Sequence, residues 1–151
     1  MFDLIIANGT VIDGTGAPGI KSDVGIVGER IEVIDALVGA EARRVIDANG
    51  LVVSPGFVDP HTHSDADLLT DPQHAYGLRQ GITTEILGLG GISFAPLSQS
   101  NYRMYSHWLT GILGEPPEDV DVSSIISFRA NYHRKVAINS AYLVPSGAIR
   151  I

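Results

Sequence analysis

The chain changes its periodicity at Pro55, and that change limits it to two kinds of structure in series. Before Pro55 the apolar runs are short and separated by tight-turn signals. Residues 2–7 lead to Asn8-Gly9 and then 10–12; residues 23–27 lead to Gly28-Glu29 and then 30–34; residues 43–47 lead to Asn49-Gly50 and then 51–53. Asn-Gly between apolar runs is a strong hairpin signal, because it supplies the positive φ angles of a type I′ turn. Residues 30–34 alternate polar and apolar, as a half-buried strand does. Five or six short strands with tight turns predict a small β-sandwich or open barrel, and residues 1–54 are read as a small β-sandwich unit. The pairs Gly14/Gly16 and Gly25/Gly28 are read as turn glycines. No helical pattern follows either pair, so neither forms a phosphate cradle.

After Pro55 strand, loop and helix alternate. Phe57 and Val58 read as a short strand. Asp71-Pro72 predicts an N-cap and first helical residue, with the helix ending near Gln80 at Gly81. Residues 82–87 are β-branched and apolar, a second strand. Tyr102, Tyr105, Trp108, Leu109 and Ile112 are spaced by three and four, which predicts a helix over 98–113 with that stripe in the core. Ser123 or Ser124 caps a further helix to about Arg134, and 136–144 is a third strand. Strand–helix–strand order implies parallel pairing with a right-handed crossover. The fold class is therefore α/β: a small N-terminal β-sandwich followed by a β/α array over 55–151.

Charge and composition exclude several functions. Lys plus Arg number 10 against 17 Asp plus Glu, a formal charge of −7. With no basic run, this argues against nucleic acid and against an anionic membrane surface. There is no cysteine, so disulfides, thiolate metal sites and a cysteine nucleophile are all absent. No apolar run approaches the ~20 residues that span a bilayer. The first residues lack the positive region of a signal peptide, and a cytoplasmic location is the default expectation.

The chemistry-bearing motif is Pro-His-Thr-His at 60–63, at the end of an apolar run. Alternate residues of an extended chain point to one side. His61 and His63 are therefore expected to aim both imidazoles at one spot and hold Zn2+ or another divalent metal. The competing reading is two surface imidazoles in a loop. Asp59 is either a further ligand, an acceptor orienting an imidazole, or a turn residue before Pro60. His74, His107 and His133 fall on helical patterns and are expected to face solvent. Glu85, acidic inside a strand, either points toward the metal or pairs with Arg79 or Arg103.

Gly56-Phe57-Val58-Asp59-Pro60-His61-Thr62-His63 resembles the signature at the end of the first barrel strand of the metal-dependent amidohydrolases. Three further stretches resemble the D-aminoacylase (N-acyl-D-amino-acid deacylase) branch. They are Arg79-Gln80-Gly81-Ile82-Thr83-Thr84-Glu85, Gly91-Ile92-Ser93-Phe94-Ala95-Pro96-Leu97, and Asn139 through Arg150. The resemblance implies a (β/α)8 TIM-type barrel, His61 and His63 as metal ligands, and hydrolysis of a small N-acyl-D-amino acid. A closed barrel takes ~250 residues, whereas 97 follow Ser54. The barrel is thus expected to be incomplete. The chain is expected to be the N-terminal portion of a larger enzyme, inactive alone, with the remaining ligands and the catalytic aspartate elsewhere. Such a portion leaves strand edges uncovered and is expected to self-associate. Gly90 and Ser146 depart from the branch, where ligand-type residues often stand. Two other readings stay open: a dihydroorotase- or hydantoinase-like enzyme acting on cyclic amides, and a non-catalytic remnant.

Overall fold

The computed structural model describes residues 1–151 and divides into two compact units, Met1–Pro55 and Gly56–Ile151.

In the first unit, strands β1 (Leu4–Val11), β2 (Ile20–Val27), β3 (Arg30–Asp35), β4 (Val45–Asp47) and β5 (Val52–Val53) form one five-stranded sheet. The β1/β2 and β2/β3 pairs are antiparallel. β4 and β5 both run parallel to β1. The expected sandwich is therefore not formed, because no second sheet is present to make the other layer. β4 and β5 have three and two residues, and both hydrogen-bond along β1. The Asn49-Gly50 turn shifts the chain along that edge without reversing it. Gly28 does close the β2–β3 hairpin, with a φ of 57°.

Asn8-Gly9 is not a hairpin turn either. It lies inside β1 as a bulge, where the register with β2 shifts between Ile6 and Gly9. Asn8 takes the left-handed conformation, φ 64°, which asparagine tolerates. Its backbone N–H donates to Asp23 Oδ1 at 2.7 Å and its side-chain amide to Asp47 Oδ1 at 2.9 Å. The next residue is glycine because β5 comes close: a Cβ at Gly9 would lie 2.5 Å from Val53 Cγ2. Ile5, Val11, Val24 and Ala48 form the unit's small buried core.

In the second unit, β6 (Phe57–Asp59), β7 (Ile82–Leu87) and β8 (Asn139–Tyr142) pair in parallel and in chain order. Between them lie α1 (Asp67–Thr70), α2 (Ala75–Leu78), a 3₁₀ turn at Leu89–Gly91, α3 (Gln99–Leu113) and α4 (Ile125–Arg129). A last helix, α5 (Ser146–Arg150), follows β8. Ser98 caps α3 by accepting from the Asn101 N–H at 3.2 Å, and Ser124 caps α4 by accepting from the Ser127 N–H at 3.0 Å. The core gathers Leu68, Leu87, Phe94, Phe128, Tyr132 and Ala148. The Phe128 ring makes edge-on contacts with Phe94, Tyr132 and Tyr142. No helix is long and apolar enough to cross a membrane.

Three local expectations change. The helix read over 71–80 is only the single turn Ala75–Leu78, because His74 leaves helical geometry at φ 45° and turns its side chain inward. The strand read over 136–144 shortens to Asn139–Tyr142, and α4 ends at Arg129. On α3 the buried stripe is Tyr102, Tyr105 and Leu113, with Leu109 half-buried. Trp108 and Ile112 are 67% and 54% exposed. With Met104 they occupy the neighbouring flank of the helix at i, i+4 and i+8, so they do not pack in the core as their spacing suggested.

Candidate metal centre

β6 ends at Asp59, and the chain turns at Pro60 into the histidine pair. Asp59 Oδ1 accepts the backbone N–H of His61 at 3.0 Å, which is the turn role weighed for it. The His61 and His63 rings lie together, centroids 5.6 Å apart and nearly perpendicular. His61 is exposed and His63 half-buried. His63 Nδ1 is buried and has no hydrogen-bond partner. No group of three His, Cys, Asp or Glu side chains gathers anywhere in the chain. A catalytic zinc uses three protein ligands with N–metal distances of about 2.0–2.1 Å. Two adjacent imidazoles at the end of β6 have the donor chemistry for two of the three ligands of such an ion.

Residues the sequence reading did not single out hold the segment that follows. Asp65 is fully buried. Its Oδ1 accepts from the equally buried Ser93 Oγ in a short hydrogen bond, and its Oδ2 has no partner. The Asp65 carbonyl accepts from the Tyr132 hydroxyl at 2.8 Å. The next amide, Ala66 N–H, donates to the Leu113 carbonyl at 3.2 Å. Burial pushes the Asp65 carboxyl up to about 6; the Ser93 hydrogen bond opposes this and the charge of Glu85 adds to it. Burial also holds the Tyr132 phenol well above its usual range, so it stays a donor.

His74 is not solvent-facing. It is fully buried, and its Nε2 donates to Glu85 Oε1 at 2.6 Å. Its ring also lies against Tyr76, centroids 4.3 Å apart. Glu85 thus pairs with neither Arg79 nor Arg103, and it reaches His74 because both point to the same interior. The signal in the sequence was an acidic residue inside an apolar strand, which demands a partner without naming it. His107 and His133 are exposed, as expected.

The loop after β7 packs backbone against backbone on the loop after β8. A Cβ at Gly88 would lie 2.1 Å from the Leu143 carbonyl oxygen, and one at Gly147 would lie 2.7 Å from the Gly91 carbonyl oxygen. Gly90 is exposed, with nothing within 4 Å of a would-be Cβ; Ser146 Oγ lies 2.6 Å from the place a Gly91 Cβ would take.

The family described as "Amidohydrolase family" matches residues 44–120. D-aminoacylase of Alcaligenes xylosoxydans xylosoxydans is 47% identical over 100 residues, 66% of this chain and 21% of that protein. N-acyl-D-glutamate deacylase of the same organism is 38% identical over 149 residues, 99% of this chain and 30% of that protein. Among solved structures, N-acyl-D-glutamate deacylase from Bordetella bronchiseptica, complexed with zinc and a phosphonate mimic of the tetrahedral intermediate, superposes with a TM-score of 0.86. It is 35% identical, over 99% of this chain and 30% of that one. The chain therefore spans less than a third of the length of each of these three relatives.

Proposed function

The chain belongs to the amidohydrolase family, and from that premise we propose that it is the N-terminal part of a metal-dependent hydrolase of N-acyl-D-amino acids. The observation that carries the proposal is the His61–His63 pair, with rings 5.6 Å apart just beyond the end of β6. The deacylase relatives and the zinc in the Bordetella enzyme support the same substrate class and metal. The parallel order β6-β7-β8 supports reading 55–151 as the start of a (β/α)8 TIM-type barrel, with 1–54 a separate β unit. In such barrels the chemistry sits at the C-terminal ends of the strands, and the pair follows β6 at that end.

When bound there, a zinc ion lowers the pKa of water to about 7 and polarises the scissile carbonyl. In this reading His61 and His63 are ligands and take no part as acid or base. Asp59 fixes the backbone of His61 by its carboxylate. Gly90, exposed and with nothing within 4 Å of a would-be Cβ, lets a substrate approach the main chain closely. No third ligand gathers with the pair; in this reading the third ligand and the group that handles the water's proton belong to the rest of the enzyme.

Zinc titration followed by thermal unfolding tests the reading. Zinc at one hundred times its Kd stabilises a binding-competent fold by about 2.7 kcal/mol. The native chain is expected to respond and the His61→Ala/His63→Ala variant is not. Equal responses from the two, or none from either, would remove the metal role and favour a non-catalytic remnant.

A further inference from the structure

We propose that Asp65, fixed by Ser93 and Tyr132, is the positioning residue of the His61–His63 pair; the inference rests on the metal reading above. The pair is anchored on both sides. On its upstream side, β6 is paired with β7 along Phe57–Asp59, and the Asp59 turn then carries the chain to exposed Pro60 and His61. On its downstream side, three different parts of the chain grip residues 65 and 66. Ser93, beyond β7, holds the Asp65 side chain; Tyr132, beyond α4, holds its carbonyl; Leu113, ending α3, receives the Ala66 amide. The two imidazoles therefore sit between the β6–β7 ladder and a fixed point at Asp65, two residues beyond His63.

A carboxylate is a costly anchor in a dry interior, where an apolar residue would hold the loop without the desolvation penalty. Its chemistry supplies a reason for it. Ser93 occupies only Oδ1. The buried Asp65 Oδ2 and the buried His63 Nδ1 both lack partners and lie two residues apart on one segment. One is an acceptor; the other becomes a donor once the opposite ring nitrogen holds a cation. A carboxylate that accepts from the free N–H of a ligating imidazole fixes its tautomer and its aim. Asp65 thus serves His63 in two ways, through the backbone it pins and as the acceptor its ring nitrogen needs.

The test is a zinc titration of the full chain with histidine 15N-labelled, reading the imidazole shifts of His61 and His63. Asp65→Asn keeps the shape of the side chain and an acceptor for Ser93 but removes the charge. Ser93→Ala removes one hydroxyl. Val122→Ala serves as a packing lesion in the same unit, away from the pair in sequence. Outer-shell partners are generally worth 10–100-fold in metal affinity, so Asp65→Asn and Ser93→Ala are expected to weaken zinc binding by about tenfold or more. Val122→Ala is expected to lower Tm and leave the zinc Kd unchanged. In native protein with zinc, His63 is expected to show the Nδ1–H tautomer. Native zinc affinity in both Asp65→Asn and Ser93→Ala would overturn this inference while leaving the metal reading intact. If Asp65→Asn does not fold, native affinity in Ser93→Ala alone overturns it. Native chain whose His61 and His63 signals ignore zinc would overturn the metal reading and this inference with it.

Discussion

The His74–Glu85 pair gives the sharpest energetic prediction. The two side chains meet at 2.6 Å with 0% and 3% of their surface exposed, and they tie the turn at α2 to the middle of β7. Removing one partner from a buried pair leaves the other desolvated, at a cost of about 3–5 kcal/mol. Replacing both by apolar residues of similar size removes that penalty and is often neutral. Glu85→Ala and His74→Ala are each expected to lose about 3–5 kcal/mol, and His74→Leu/Glu85→Met is expected to recover most of it. Leucine suits position 74 because the ring there covers Gly77, whose would-be Cβ falls 2.4 Å from His74 Nε2. For a chain of this size each kcal/mol shifts Tm by about 2–4 °C, so the single variants should melt roughly 6–20 °C lower. Urea unfolding followed by far-ultraviolet circular dichroism reads the effect. The single tryptophan, Trp108, is a poor reporter because it is already mostly exposed. If the double variant loses as much as the two single variants added together, the residues are uncoupled and the reasoning fails.

Two further perturbations separate local causes. Gly88 and Gly90 both have left-handed backbones, φ 77° and 63°, but only Gly88 faces another backbone atom. Gly90→Ala is expected to cost about 1–2 kcal/mol from conformation alone. Gly88→Ala should cost at least about 1 kcal/mol more, since the Leu143 carbonyl must move; equal values in urea titrations would refute the close approach. The Asp23 carboxylate accepts the Asn8 and Leu37 N–H groups, which hold it below the usual carboxylate value. Its contribution is therefore present above the unfolded pKa of about 3.9 and lost as pH falls through the lower folded value. Asp23→Asn should flatten the fall of Tm below about pH 4; an unchanged acid limb would show that another group is responsible.

What was legible in the sequence was what neighbours along the chain decide. β2, β3 and β7 follow from apolar runs, and α3 from its spacing. The closeness of the His61 and His63 rings also needs only alternation over three residues. What was not legible was decided by distant partners. Asn8-Gly9 has the same turn propensity in a bulge as in a hairpin. Asp47, thirty-nine residues away, and Asp23, fifteen away, are what place it in β1. His74 reads as an exposed helical residue until Glu85, eleven residues on, claims it and shortens the helix. Asp65 and Ser93, twenty-eight apart, carry no shared local pattern at all. The sandwich was expected from strand count, but the count cannot show that two of the strands are short extensions along one edge.

Gly88, Gly91 and Gly147 remove the side chains that would otherwise cushion the meeting of the β7 and β8 loops. Main chain rests directly on main chain there, and the Leu143 amide also donates to the Leu87 carbonyl at 2.9 Å. Close-packed atoms of that kind transmit displacement with little give. A displacement of either loop is therefore expected to carry the other with it.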